Sequence, residues 1–192
     1  MLKGVVCDCA ANPLAGVSIE VKNEHFETIY SVLSNENGRF AFEQTMGKYP
    51  FLTAVKSYAK DYLEFWASNI DLSEDTDINI KIGDIELYGM NTFTVKGAES
   101  AVFIYFRPMS LKKYKQGAKD IAPDITDDSI SVKVNNNTAE VLSVNKVNEY
   151  GGGQFMTAYL LQARVSDCSW KEITVELKDA DAEIGMAAIF NG

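Results

Sequence analysis

The sequence predicts an all-β protein built from two tandem β-sandwich domains that meet near residue 90. Short runs of alternating apolar and polar residues recur along the chain, and Gly, Asn and Pro residues separate them. Hydrophobic residues make up 46% of the 192 residues and charged residues 23%, which is enough to fill a core in each domain. No apolar run approaches the roughly 18 residues that a membrane-spanning helix needs, so we expect no membrane span.

In the first domain, residues 1–90, the clearest strand signals have a period of two. Residues 17–21 place Val17, Ile19 and Val21 on one face, and residues 78–82 alternate in the same way. A turn at 35–38 contains Gly38, which suits a positive φ. Further strands are predicted at 28–34, 39–42, 51–56 and 62–67.

In the second domain, residues 91–192, residues 101–106 form the continuous apolar run that is typical of a strand buried on both faces. The segment 108–128 is the one long irregular connection, and such a length indicates a functional or a mobile loop. Ser110 is placed to cap a short helix within it. Further strands are predicted at 129–134, 139–147, 154–165, 171–177 and 184–190, so we expect an immunoglobulin-like or jelly-roll sandwich.

Four motifs of the first domain occur in a characteristic order. They are GVVCD at 4–8 followed by NPLAGV at 12–17, SNENGRF at 34–40, GKY at 47–49 and DY at 61–62. Over about residues 2–90 the chain therefore resembles the carboxypeptidase regulatory-like domains, which are transthyretin-like (prealbumin-like) β-sandwiches. The resemblance implies a non-catalytic accessory module, since none of the matched positions is catalytic in that family. The second domain resembles no family that we can name.

Charge and residue usage exclude several classes of function. The chain has 27 acidic and 18 basic residues, so its net charge of −9 argues against binding to nucleic acid. His25 is the single histidine, and neither a nucleophile beside it nor a G-x-S-x-G motif indicates an enzyme. Cys7, Cys9 and Cys168 are an odd number, which favours free thiols in a reducing compartment over disulfides or a zinc site.

The N-terminus does not have the pattern of a signal peptide. We therefore expect a cytoplasmic protein if the chain is complete, and an extracellular or cell-surface protein if the chain is excised from a longer one.

The predicted ligand site lies in the alternating segment 62–67. Leu63, Phe65 and Ala67 fall on one face, which leaves Tyr62, Glu64 and Trp66 on the other. Aromatic rings beside a carboxylate can face a sugar ring, so these three residues are the candidates for binding carbohydrate. The alternative is that the aromatic side chains cover the interface between the two domains, because Trp and Tyr are enriched at interfaces of every kind.

The acidic segment 120–128 contains the candidates for a metal site, Asp124, Asp127 and Asp128. Calcium prefers several carboxylate and carbonyl oxygens, although the spacing is not that of an EF-hand. The alternative is that these aspartates are solvated residues of turns. We expect a non-catalytic binding or structural module for a protein or carbohydrate partner; the rival is a hydrolase that acts on polysaccharide with these carboxylates.

Overall fold

The computed structural model describes residues 1–43, 47–97, 100–165 and 169–191, with the side chain of Asp127 outside the described part. In these ranges the chain folds into three β-sheets. The strands of the first half are β1 (Leu2–Cys7), β2 (Ser18–Lys22), β3 (Thr28–Leu33), β4 (Arg39–Phe42), β5 (Lys48–Val55), β6 (Phe65–Asp71) and β7 (Thr76–Lys81). Those that follow are β8 (Ile85–Phe93), β9 (Ala101–Ser110), β10 (Ile130–Val134), β11 (Asn137–Ala139), β12 (Val141–Gly151), β13 (Gln154–Arg164), β14 (Glu172–Lys178) and β15 (Ile184–Phe190).

The first sandwich consists of the sheet β4-β1-β7 and the strands β6-β5-β2-β3. Strand β1 pairs antiparallel with β4 and parallel with β7. The period-two residues predicted to share a face do so, because Val17, Ile19 and Val21 are fully buried in one hydrophobic core with Phe65 and Ile78.

The second sandwich consists of the sheet β12-β13-β9-β8 and the strands β11-β10-β14-β15. Its core includes Leu87, Ile104, Phe106, Leu161 and Val175, all of which are fully buried. The all-β, two-sandwich architecture predicted from the sequence is confirmed.

The two sandwiches share one sheet. Strand β15 of the second sandwich pairs parallel with β6 of the first, so that eight strands run in the order β11-β10-β14-β15-β6-β5-β2-β3. The predicted division at residue 90 falls inside β8, where Gly89 has a φ of +65° and the pairing with β9 shifts register. The turn signal near residue 90 therefore marks an irregularity within strand β8. The chain passes from the first core to the second between Ile82 and Ile85.

Two local predictions have clear outcomes in the structure. Ser110 caps the helix α1 (Leu111–Lys115), and its hydroxyl accepts a hydrogen bond from the backbone N–H of Lys113. The run 101–106 forms part of β9, but its residues alternate between buried and half-buried. The reason is that Phe103 and Tyr105 lie on the outer face of the sheet, where Phe103 stacks on Phe93.

Two of the three cysteines lie in the described part, and there Cys7 and Cys9 are free thiols; Cys168 falls outside it. Burial raises the pKa of both thiols. Since the thiolate is the reactive form, we expect a Cys168→Ser variant to react with a thiol reagent roughly tenfold more slowly than a free thiol at neutral pH. After denaturation without reductant both thiols should react at the free rate. Rapid reaction of the native protein would contradict the burial of Cys7 and Cys9.

Candidate functional site

A cleft of about 760 Å³ lies where strand β6 of the first sandwich meets the four-stranded sheet of the second. The turn before β6, the strands β8, β9 and β13, and the irregular segment after α1 all contribute side chains to it. Its lining comprises Tyr58, Glu64, Trp66, Glu86, Tyr88, 107–109, 118–122 and 154–157. The cleft is therefore a composite of both halves of the chain.

Trp66 and Glu86 form the floor of the cleft. Trp66 is 8% exposed and Glu86 is 2% exposed. The indole Nε1–H of Trp66 donates to Oε1 of Glu86 at 3.0 Å, and the Tyr58 hydroxyl donates to Oε2 at 3.1 Å. The backbone N–H of Glu64 also points at Oε2, at 3.4 Å. The buried carboxylate of Glu86 is therefore held by hydrogen-bond donors from the other sandwich.

Aromatic rings surround the indole of Trp66 and fix its position. Phe26 stacks on it at 5.2 Å between ring centroids, while Phe51 and Tyr88 meet it edge-on at 6.1 Å and 5.2 Å. Arg107 lies over the ring of Tyr88 at 4.8 Å. The rings that remain accessible from the cleft are at its rim, where Tyr58 is 51% and Phe155 is 70% exposed.

Glu64 is the half-buried acid of the cleft. Desolvation, followed by repulsion from the neighbouring Glu86, raises the pKa of Glu64 to about 7. Burial also raises the pKa of Glu86, although its donors oppose that shift. Among the described residues, neither carboxylate forms an ion pair with a Lys or Arg side chain, although the positive charge of Lys22 partly opposes the rise in the pKa of Glu64.

The segment 118–122 forms another wall of the cleft, and a set of hydrogen bonds holds it in place. The Thr157 hydroxyl donates to Asp120 at 2.6 Å, and the Lys113 ammonium donates to the carbonyl of Ala122 at 2.8 Å. The Lys115 ammonium reaches the carbonyl of Lys60 at 2.6 Å, which ties α1 to the turn that carries Tyr58. The long connection predicted to be a functional or a mobile loop thus forms an anchored side of the cleft.

The three predicted ligand-binding residues do not share one face. Glu64 and Trp66 both line the cleft, whereas Tyr62 packs against the core of the first sandwich. The alternation predicted from residue 62 holds from Leu63 onward but fails at Tyr62, because residues 57–62 form a turn in which Ser57 and Ala59 have positive φ values. Trp66 also lies where the two sandwiches meet, opposite Ala187 of β15. It therefore occupies both of the positions considered from the sequence, the ligand site and the interface between the domains.

Among the described side chains, the structure places neither Asp124 nor Asp128 in a cluster that could hold a metal ion. The side chain of Asp124 is 87% exposed and pairs with Lys113 at 3.0 Å, and Asp128 is also exposed. Asp127 lies in the 3₁₀ turn Asp127–Ser129, and its side chain falls outside the described part. Across the described ranges, no group of three or more His, Cys, Asp or Glu side chains is placed to hold a metal ion.

Sequence reasoning missed Glu86, Tyr88 and Tyr58, although a signal for the first two is present. The order apolar–Glu–apolar–aromatic occurs twice, as LEFW at 63–66 and as IELY at 85–88. In both copies the apolar residues are buried, and the Glu and the aromatic residue line the cleft. Tyr58 gave no such signal, because its position depends on the turn at 57–62.

The raised pKa of Glu64 predicts a pH-dependent stability. Between about pH 4.5, the ordinary pKa of this group, and about 7, the folded protein binds more protons at Glu64 than the unfolded chain does. The free energy of unfolding should therefore fall as the pH rises through this window, with a contribution from Glu64 of about 2 kcal/mol. Urea unfolding should show a flatter pH profile for Glu64→Gln than for the native sequence; parallel profiles would contradict this assignment.

Comparison with known proteins gives no family. No family model matches the chain, and no curated protein matches it. Among solved structures, the major pilin subunit BcpA of Bacillus cereus is 12% identical with a TM-score of 0.32, and a variant of the same pilin has a TM-score of 0.31. Each pilin match covers 98% of this chain and 66% of the pilin chain.

A DUF3823 family protein from Bacteroides ovatus ATCC 8483 is 9% identical with a TM-score of 0.30, and the match covers 98% of this chain and 97% of that one. At this level of similarity the matches establish neither a shared family nor a shared function. In the described part of the chain, the structure contains no helix with the length and apolar character needed to span a membrane.

Proposed function

We propose that the chain is a non-catalytic carbohydrate-binding module and that its ligand occupies the cleft between the two sandwiches. The observation that carries this proposal is the composition of the cleft. The exposed rings of Tyr58 and Phe155 and the carboxyl group of Glu64 face one concave space of about 760 Å³. Pockets of this size that combine apolar walls with a few polar groups are the usual binding sites for small ligands.

The two rim rings suit the apolar face of a sugar. The π-face of an aromatic ring is electron-rich and attracts the partly positive C–H groups of a pyranose stacked against it. Phe155 begins β13 beside the hairpin tip at 151–153 and contacts Tyr150 at 5.2 Å. A ring supported in this way offers a flat surface at the entrance of the cleft.

The polar groups of the cleft suit the hydroxyl groups of a sugar. Glu64 and Asp120 contribute carboxylate groups to the lining, and Lys119 adds a donor. Asp120 is held by Thr157, and its wall is anchored to α1. Groups held before the ligand arrives lose little conformational entropy on binding, which favours recognition.

The resemblance of residues 2–90 to carboxypeptidase regulatory-like domains supports a non-catalytic role. We propose that this half belongs to that family and acts as an accessory to another activity. The lone histidine supports the same conclusion, since His25 is exposed and lies outside the cleft lining.

A second candidate function is a carboxylate-based hydrolase. The specific observation in its favour is that Glu64, with a pKa of about 7, lines the cleft together with Asp120. Such a pair has the chemistry of a general acid and a base for cleaving a glycosidic bond. Glu86 is the weaker partner for this role, because its carboxylate is buried and already accepts from Trp66 and Tyr58.

Binding to a glycan array, followed by isothermal titration with the oligosaccharides that bind, tests the proposal. Phe155→Ala should weaken the affinity for these oligosaccharides roughly tenfold, because one stacking surface is lost. Phe93→Ala is the matched control, since Phe93 is also an exposed aromatic residue but lies outside the cleft. Its affinity should equal that of the native chain.

Two outcomes would contradict the proposal. A chain that binds no glycan on the array, or one whose glycan affinity is unchanged by Phe155→Ala, does not use this cleft for carbohydrate. Release of new reducing ends from the bound oligosaccharides would instead establish the hydrolase, and Glu64→Gln should then abolish that release.

A further inference from the structure

The charges around Glu64 are unbalanced on the floor side of the cleft. Its acidic neighbours are Glu20 and Glu86, and Asp120 stands on the wall formed by 118–122. The basic side chains near this space are Lys22, Arg107 and Lys119. Since Glu86 is buried and held by its own donors, the carboxyl group that a ligand can contact on this side of the cleft is that of Glu64.

Two of the three cations are already engaged. The Lys22 ammonium lies 2.5 Å from Glu20, donates to the Thr28 hydroxyl at 3.1 Å, and lies over the ring of Phe26 at 4.8 Å. Arg107 lies over Tyr88 and 3.5 Å from Glu149. Lys119 belongs to the wall formed by 118–122 and is exposed to solvent. Within the described part of the chain, neither Glu64 nor Glu86 therefore has an ion-pair partner, and Lys22 acts on Glu64 only as a nearby charge.

Aromatic rings line the same part of the cleft. Tyr58 donates its hydroxyl to Glu86 and leaves its ring half exposed, and Tyr88 stands beside the Trp66 floor. Carboxylates beside the faces of aromatic rings form an environment that attracts an organic cation by charge and by cation–π interaction. Burying an unpaired carboxylate is unfavourable, and a bound ammonium removes that cost.

We propose that the sugar bound in this cleft carries an amino group, and that its ammonium lies against Glu64 beside the exposed ring of Tyr58. This inference rests on the proposed carbohydrate-binding function and names the class of sugar. The volume of the cleft accommodates a sugar ring together with the ammonium. N-acetylation of the amine removes the positive charge and therefore removes the attraction.

Isothermal titration with four probes tests the inference at neutral pH and low salt. The probes are a glucosamine oligosaccharide, its fully N-acetylated form, a glucose oligosaccharide of equal length, and lysine amide as an amine without a sugar. We expect the glucosamine oligosaccharide to bind roughly tenfold more tightly than either uncharged oligosaccharide. Glu64→Gln should remove this preference, so that this variant binds the glucosamine and glucose oligosaccharides with equal affinity.

The control variant is Glu140→Gln, which removes the same charge at an exposed glutamate paired with Arg164 outside the cleft. This variant should keep the preference for the glucosamine oligosaccharide, because we attribute that preference to Glu64 and not to a general attraction of cations to an acidic chain. Equal binding of the charged and uncharged oligosaccharides would overturn the amino-sugar inference and leave carbohydrate binding intact. A preference that survives in Glu64→Gln would also overturn it.

Two further outcomes bear on both the amino-sugar inference and the proposed carbohydrate-binding function. Binding of lysine amide alone, without any oligosaccharide, would show recognition of an amine and would contradict both the amino-sugar inference and the carbohydrate module. Binding of none of the four probes, together with a silent glycan array, would contradict both as well.

Discussion

Replacing Trp66 by Ala should lower the free energy of unfolding by about 4 kcal/mol. The side chain is 8% exposed and contacts the rings of Phe26, Phe51 and Tyr88, so its removal leaves a large cavity where the two sandwiches meet. The substitution also removes the indole donor to the buried Glu86 carboxylate. Urea unfolding followed by the fluorescence of Trp170, the other tryptophan, gives the measurement.

A second variant separates packing from hydrogen bonding. Trp66→Phe keeps an aromatic ring in the cluster but leaves Oε1 of Glu86 without its indole donor. We expect a loss of about 2 kcal/mol, and most of it should disappear when Glu86 is changed to Gln in the same chain. If Trp66→Ala lowers the free energy of unfolding by less than about 1 kcal/mol, the packing role assigned to Trp66 is contradicted.

Replacing Gly185 by Ala should cost about 3 kcal/mol of stability, near the upper end of the usual range for overpacking. A Cβ atom at Gly185 would lie 2.2 Å from the carbonyl oxygen of Ile85, so β15 and the start of β8 must move apart. The residue after Ile85 is Glu86, and the same movement should therefore weaken ligand binding in the cleft.

The matched control for Gly185 is Gly151→Ala. There the nearest atom to the added Cβ is the terminal methyl carbon of Met156 at 2.9 Å, the end of a flexible side chain that can rotate away. Both substitutions reduce the flexibility of the unfolded chain in the same way, so the comparison isolates the clash. Thermal unfolding should leave Gly151→Ala within about 0.5 kcal/mol of the native chain. Equal losses in the two variants would argue against the close approach of β15 to β8.

The sequence was informative about strands because a strand is a local pattern. The alternation at 17–21 and 78–82 identified residues that are buried in one core, and Ser110 identified the start of a helix. The segment around Glu64 and Trp66 was recognised for the same reason. Tyr62 lies instead against the core of the first sandwich, since it ends a turn in which Ser57 and Ala59 have positive φ values.

The composition of the cleft depends on contacts between distant parts of the chain. Trp66 lies opposite Ala187 through the parallel pairing of β6 with β15, and it meets Glu86 across the two sandwiches. No local pattern specifies which strands will become neighbours at such sequence separations. The repeated order apolar–Glu–apolar–aromatic at 63–66 and 85–88 signalled two similar strands, and the structure was needed to bring them to one site.

We propose that a glycan occupies the cleft above Trp66, and the indole signals of the two tryptophans test that position directly. Trp66 forms the floor of the cleft, whereas Trp170 lies in the core of the second sandwich outside the cleft lining. Their indole N–H groups give separate signals in a ¹H–¹⁵N spectrum, and Trp170→Phe assigns them. Titration with an oligosaccharide that binds should shift the Trp66 signal and leave the Trp170 signal in place. Binding that shifts neither signal, or only that of Trp170, would contradict the claim.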